Sequence, residues 1–244
     1  MNLEYNDIIE FVKTRLDELS NNDDASLVAA STAVEDLEKI VDSCVLPAVR
    51  KIHLDAPNLL LKSGLSLSTV YSSMSTTAIT GTNYYKVNIT LKPNTNFIRL
   101  VTLKMSEWAR PIQTLFGEDS AEYRKQGNKF LMGTPNRPAG FLLHEAGGEG
   151  LIELYSVSSS SPTLQSGMYI SEPEKVAGSA GDYVYVVGTL KASCLNQITA
   201  DVLRCIGRHQ EAEVYDRLAI QPFNIQPDYL RKNPVMSERV NTTK

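Results

Sequence analysis

This 244-residue chain has no long apolar run, little excess of charge of one sign and few of the residues typical of metal sites. No stretch approaches the ~20 apolar residues that a membrane-spanning helix needs. The first residues, MNLEYNDIIEF, lack the basic-then-apolar order of a signal peptide. We therefore expect synthesis in the cytosol and no membrane partner.

Basic and acidic residues nearly balance. The chain has 24 Lys and Arg against 28 Asp and Glu, which leaves a formal net charge of −4. General nucleic-acid-binding proteins carry a basic domain, so the balance argues against that class. Hydrophobic residues at 42% and charged residues at 21% are ordinary for a globular protein with its own core.

Cysteine is rare as well. Cys44, Cys194 and Cys205 make an odd count with no CxxC spacing. Cys194 and Cys205 fall in one predicted helix about three turns apart, which is too far for a disulfide. Since free cysteines are among the most buried residue types, we expect three buried free thiols.

Histidine, the commonest catalytic and metal-binding side chain, occurs only at His53, His144 and His209. His53 ends a predicted helix, where a cationic ring would suit the helix dipole. His144 ends a predicted strand, and His209 lies between two predicted helices. None shares a metal-ligand spacing such as HxxxH with another histidine or with a cysteine. We predict no metal site and no cofactor.

Other catalytic signatures are missing too. The glycine-rich stretch 147–150 lacks the GxxxxGKS/T order of a phosphate-binding loop, and a hairpin turn explains it better. The serine run 158–161 contains no GxSxG nucleophile motif. Trp108, the only tryptophan, could belong to a recognition patch beside Arg110, but burial against a sheet is the favoured interpretation. We predict no catalytic residues.

Apolar residues spaced three to four apart predict helices at both ends of the chain. The first covers residues 5–19. The second begins near Ser31 or Thr32, with Glu35 in a capping box. Pro47 either kinks this helix or begins a new helical segment, and the helical spacing continues through Ile52. Two more are predicted over 183–206 and 210–219, separated by Gly207.

The inward-facing residues of these helices follow from the same spacing. In the second helix we expect an apolar stripe formed by Val34, Leu37, Ile40, Val41, Cys44 and Val45. In the last helix we expect Val214, Leu218 and Ala219 to face inward.

The middle of the chain has a different pattern. Alternating polarity at 87–91 and the apolar run 97–105 predict two strands joined as a hairpin across a turn at 92–96. A second hairpin is predicted from 140–144 and 151–157, and a short exposed helix from 119–126. The Ser- and Thr-rich stretch 64–82 is interpreted as a long loop or a weakly specified hairpin, and 164–181 as a loop.

These elements predict an α+β fold. A helical bundle formed by both chain ends carries an inserted antiparallel β domain and is followed by an extended C-terminal tail. The corresponding domains are residues 1–58 and 166–220 for the bundle helices, 59–165 for the β-rich insertion and 221–244 for the tail. The tail lacks apolar periodicity, so we expect it to extend onto a partner or to stay disordered.

Four stretches in this order resemble the head–tail adaptor, or ring, proteins of short-tailed phages, in particular the ring proteins beneath the portal in crAss-like phages. They are EDLEKIVDSCVLPAVRKIHLDAP (35–57), FIRLVTLKMSEWARPI (97–112), PAGFLLHEAGGEGLIELYSV (138–157) and the closing helices up to AEVYDRLA. The resemblance covers most of residues 30–220 and rests on general patterning.

The resemblance implies a non-enzymatic structural virion protein that needs no cofactor. About a dozen copies would form a ring that connects the portal to the tail and continues the DNA channel. Its partners would be the portal protein, neighbouring copies, other tail ring proteins and genomic DNA that passes without specific binding. It would be located at the head–tail junction of the virion after assembly in the bacterial host cytoplasm. The expected partner-binding residues of the tail, apolar anchors and basic side chains, are Phe223, Ile225, Tyr229, Leu230, Arg231, Lys232 and Arg239.

Two alternatives stay open. The chain could be another phage tail-completion or baseplate module without portal contact. It could also be an enzyme whose site is built from scattered residues, for instance around His144 and Glu145.

Overall fold

The computed structural model describes residues 1–20, 34–61, 64–93, 95–144, 150–179 and 181–224. Within those ranges the chain is α+β, with five α-helices and three sheets whose strands pair antiparallel except for one pair. It divides into two compact units. The helical unit comprises the described residues of Met1–Ser63 and Pro173–Lys244, and the β unit comprises those of Gly64–Glu172. No helix in these ranges has both the length and the hydropathy to span a membrane.

In chain order the α-helices and strands are β1 (Asn2–Glu4), α1 (Tyr5–Ser20), α2 (Val34–Asp55), β2 (Leu65–Ser66), β3 (Tyr71–Ala78), β4 (Tyr85–Leu91), β5 (Phe97–Met105), β6 (Phe116–Gly117), α3 (Ala121–Lys125), β7 (Ala139–His144), β8 (Gly150–Val157), β9 (Leu164–Ser171), β10 (Lys175–Val176), β11 (Tyr183–Tyr185), α4 (Lys191–Cys205) and α5 (His209–Ile220). Short 3-10 turns cover Asn58–Leu61, Leu67–Thr69, Gly188–Leu190 and Gln221–Asn224.

In the helical unit, α2 and α4 supply most of the buried surface. The stripe predicted for α2 is confirmed at Val41, Cys44 and Val45, which are buried, whereas Leu37 and Ile40 are only half-buried. The helix passes through Pro47 without ending. The predicted capping box at 31–32 lies outside the described residues. A smaller apolar cluster joins α1, α4 and α5 through Leu16, Leu19, Ala200, Leu203, Ala212 and Tyr215.

A small sheet, in the order β1-β11-β10, completes the helical unit. The helix predicted to begin at residue 183 is therefore wrong in its first part: residues 183–185 form β11, and α4 begins only at Lys191. Residues 183–186 alternate tyrosine and valine, and such aromatic and β-branched side chains fit a pleated strand better than a helix. Leu3 of β1 pairs with Val184 and is buried, a contact between residues 181 positions apart.

The β unit holds two sheets, one in the order β3-β4-β8-β7-β6 and one in the order β2-β9-β5. The alternation predicted for β4 is confirmed, since Val87, Ile89 and Leu91 are buried at every second position. Side chains from both sheets share one apolar core, which includes Leu67, Leu103, Met105, Trp108, Ile112, Ile152, Leu154, Val157 and Tyr169.

Some of the predicted β structure is confirmed and some is wrong. The hairpin of β7 and β8 and the short helix α3 occur where they were predicted. The strands predicted at 87–91 and 97–105 also exist, but they do not form a hairpin. β4 pairs with β3 and β8, whereas β5 pairs with β9 in the other sheet. The turn after β4 therefore carries the chain from one sheet to the other.

The two stretches interpreted as loops contain strands. Residues 71–78 form β3, and residues 164–171 form β9. Both are rich in Ser and Thr or interrupted by glycine, so their composition gives a weak strand signal. Gly167 has a packing reason, because a Cβ at this position would lie 2.8 Å from Cβ of Leu67.

The inward face predicted for α5 is partly wrong. Ala219 is buried as expected, but Val214 and Leu218 are exposed. The buried side of α5 is formed instead by Ala212, Tyr215 and Ala219, at helical spacing. The two alanines let α5 approach its neighbours closely, which turns Val214 and Leu218 toward solvent.

Candidate docking surfaces

Of the three histidines, His53 is the best defined, and it does not have the properties of an exposed catalytic base. It lies near the end of α2 and is buried, and its Nε2 accepts a hydrogen bond of 3.3 Å from the backbone N–H of Val187. Burial lowers the pKa of His53 to about 4. The cationic ring suggested by its helix-end position is therefore wrong, and His53 is a neutral core residue at pH 7.

The other proposed chemical positions do not assemble into a described site. His209 is the first residue of α5 and is exposed. The side chain of His144 and all of residues 145–149 lie outside the described residues. Among the residues that the structure does describe, no three His, Cys, Asp or Glu side chains form a group that could hold a metal ion.

A buried carboxylate does occur in the β unit, at Glu153 of β8. Its Oε1 lies 2.6 Å from Lys86 Nζ, and its Oε2 accepts hydrogen bonds from the hydroxyls of Tyr123 (3.3 Å) and Tyr155 (3.2 Å). Burial, followed by the nearby Glu153 charge, raises the pKa of Tyr155. Both carboxylate oxygens have partners, so the cluster ties α3 to the sheet through Tyr123.

The most exposed apolar side chains in the described chain follow α3 directly. In the loop 127–132, which we call the apolar loop, Phe130 is 84% exposed and Leu131 is 60% exposed. Lys129 Nζ lies 5.1 Å from the centroid of the Phe130 ring. Two adjacent large apolar side chains that are both well exposed make the apolar loop a candidate interaction surface.

The apolar loop is held in place at both ends. At its start, the buried amide of Gln126 donates to the backbone carbonyl of Glu122 and accepts from the backbone N–H of Gly133, both at 2.9 Å. Within the loop, Asn128 Oδ1 accepts from the N–H of Phe130 at 2.9 Å. Met132 then returns the chain to the interior, where it is 7% exposed.

A loop fixed in this way loses little conformational entropy when it docks, which favours binding. This surface was not predicted from the sequence, because Phe130 and Leu131 resemble ordinary apolar residues of the β-rich domain. The sequence signal for an exposed loop was a phenylalanine and a leucine placed between polar residues and glycines.

The second apolar surface is the outer face of α5. It is formed by Val214 (52% exposed) and Leu218 (41%), which are four residues apart and therefore neighbours on one side of the helix. Ile220 (44% exposed) lies two residues after Leu218 and points away from this side. Glu213 and Arg217 border it and form an ion pair with each other at 3.5 Å. An exposed pair of this kind contributes little to stability, and both charges remain accessible to solvent. We call Val214 and Leu218 the α5 outer face.

The predicted tail site begins where this face ends. Phe223 lies in the 3-10 turn Gln221–Asn224 and is half-buried. The remaining predicted partner-binding residues, Ile225, Tyr229, Leu230, Arg231, Lys232 and Arg239, lie outside the described residues. Of the predicted site, the structure therefore places only Phe223, five residues after Leu218 of the α5 outer face.

Comparison with protein-family models, with curated proteins and with solved structures gives no match for this chain.

Proposed function

We propose that this protein is a structural virion component, a ring-forming adaptor that connects the portal to the tail of a short-tailed phage. In this proposal the helices of both chain ends form a bundle, the β unit is an insertion, and the C-terminal tail reaches the portal. About twelve copies would surround the DNA channel at the head–tail junction. The ring would assemble in the host cytoplasm, and the genome would pass through it without specific binding.

The observation that carries this proposal is the pair of unlike apolar surfaces. A head-to-tail interface joins two different patches, and it closes into a ring when the rotation between neighbours divides the circle. The apolar loop lies on the β unit and the α5 outer face lies on the helical unit. The two surfaces differ in shape, since one is a projecting loop and the other is a helix face.

The composition is compatible with a DNA channel. Phosphate binding relies on Lys and Arg, and each phosphate contact would slow a sliding duplex. A subunit with a net charge of −4 avoids general attraction to the genome. Many globular proteins share this property, so it supports the proposal without distinguishing it from others.

The proposed portal contact involves the end of α5 and the tail. Val214, Leu218 and Ile220 are exposed directly before the segment 225–244. An apolar helix face continued by a segment with Phe, Tyr and Arg anchors would give a long docking surface. Removal of residues 225–244 should weaken portal binding and leave the unfolding temperature of the described units unchanged.

The test is the mass of the purified full-length protein by light scattering, alone and mixed with its cognate portal ring. Binding of about twelve copies only in the presence of the portal would support an adaptor that assembles on its template. Rings that form but ignore the portal would favour the tail-completion or baseplate alternative. A monomer that neither self-associates nor binds the portal would refute the proposed function.

A further inference from the structure

Two cysteines that are far apart in the sequence lie side by side in the helical unit. Cys44 of α2 and Cys205, the last residue of α4, are 161 positions apart, and their Sγ atoms are 3.9 Å from each other. Cys194, the third cysteine, is buried elsewhere along α4. The prediction that all three thiols are buried is wrong for Cys205, which is exposed.

We propose that Cys44 and Cys205 form a reversible disulfide that covalently joins α2 to α4. A disulfide bond is about 2.05 Å long, so the two sulfur atoms must approach each other by about 2 Å. Rotation of the side chains about their Cα–Cβ bonds supplies movement of this size without displacing a helix. This inference is independent of the proposed function, because it depends only on the two thiols.

The two thiols have different accessibility, which sets the order of the reaction. Cys205 is exposed, whereas Cys44 is buried and its pKa is raised by that burial to about 11. The thiolate is the reactive form of cysteine, and a reagent must also reach it. Cys205 is therefore the thiol that meets an oxidant first, and Cys44 is the resolving thiol.

The oxidant is a low-molecular-weight disulfide such as oxidised glutathione. The Cys205 thiolate attacks one sulfur of that disulfide, whose S–S bond breaks and releases one glutathione thiolate. The Cys44 thiolate then attacks Cys205 Sγ, and the mixed disulfide breaks and releases the second glutathione thiolate. Two electrons pass from the protein to glutathione, and the two thiol protons pass to the thiolates that leave.

The consequence is a link between stability and redox environment. In a reducing cytosol the pair stays as thiols, and in oxidising surroundings outside the cell it closes. Cross-linking residues 161 positions apart removes many conformations from the unfolded chain, which stabilises the folded one. We expect closure to raise the unfolding temperature by roughly 5–15 °C, with full reversal by a reductant.

The experiment treats the full-length protein with oxidised glutathione and measures its intact mass, free thiols and unfolding temperature. Closure predicts the loss of two hydrogen masses and a fall from three free thiols to one. Digestion without reductant should release one cross-linked pair of peptides, containing Cys44 and Cys205. The matched controls are Cys194→Ser, which should still close, and Cys205→Ser, which should not.

Three results would overturn the proposal. The first is a protein that keeps all its thiols under conditions that oxidise a dithiol peptide. The second is a stable glutathione adduct on Cys205 that never resolves, and the third is a cross-link between two chains. Because Cys205 is exposed, Cys205→Ser should fold normally. Its unfolding temperature under reducing conditions provides the check on folding.

Discussion

In the proposed ring, replacement of Phe130 by serine should weaken the association between neighbouring copies and leave the fold of each copy unchanged. Full burial of a phenylalanine side chain contributes about 1.5–3 kcal/mol. Since Phe130 is 84% exposed, its burial in an interface can still supply roughly 1.3–2.5 kcal/mol of that. At about 1.4 kcal/mol for each factor of ten, the dissociation constant of each contact should rise roughly ten- to sixtyfold.

The assay is sedimentation velocity over a range of protein concentrations, with and without the portal ring, together with thermal unfolding. The matched control is Met132→Ser, two residues further along the apolar loop, where the side chain is 7% exposed. That change should lower stability by about 2–5 kcal/mol, because it leaves a cavity. Phe130→Ser, at an exposed position, should alter stability by no more than about 0.5 kcal/mol.

Two outcomes would refute the reasoning. If Phe130→Ser assembles at the same concentrations as the unchanged protein, the apolar loop is not an interface. If it instead loses as much stability as Met132→Ser, the loop serves the fold and its exposure has been misinterpreted.

Three further predictions concern the core. Val41→Asp should lower the free energy of unfolding by roughly 3–5 kcal/mol, because it places an unpaired charge at a fully buried position. The control Val214→Asp, on the α5 outer face, should leave the unfolding temperature nearly unchanged. Equal unfolding temperatures for the two variants would contradict the packing of α2. The folded-state pKa of His53, about 4, is below its unfolded value of 6.5, so its stabilising contribution is full above pH 6.5 and is lost as pH falls toward 4. Urea unfolding at pH 7 and pH 5 should reveal a loss of about 2 kcal/mol that His53→Gln, which keeps an acceptor but does not titrate, lacks. Trp108→Phe should cost about 1–3 kcal/mol in the same assay, because the carbonyl of Ser156 loses the 3.3 Å hydrogen bond from the indole N–H; an unchanged midpoint would mean that this bond contributes nothing.

The two candidate docking surfaces show why the sequence predicted helices and strands better than it predicted interaction surfaces. An apolar side chain is exposed when no neighbouring element packs over it, and this depends on the tertiary structure. Val214 and Leu218 have the helical spacing of a buried stripe, but the opposite side of α5, with its two alanines, is the one that packs. Phe130 is exposed because the hydrogen bonds of Gln126 turn the chain outward after α3. Neither contact leaves a periodic signal in the sequence.

For the strands, too, local patterns were predicted correctly and long-range contacts were not. Period-two alternation identified β4, since that pattern is local and comes from one face of a strand meeting a core. The partner of β5 was missed because β9 contains serine and glycine and begins 59 residues after β5 ends. Its strand character comes from the hydrogen bonds that β5 and β2 provide, which are long-range contacts.

The sequence by itself determined the α+β class, the helices α1, α3 and α5, the buried stripe of α2 and the hairpin of β7 and β8. Local periodicity, capping and turn residues act over a few positions, so one segment contains the whole signal. Only the tertiary structure decided which sheet each strand joins, which side of α5 faces solvent and that Cys44 meets Cys205. These depend on residues that packing brings together across as many as 181 positions of the chain, and a local sequence pattern contains no information about contacts over such separations.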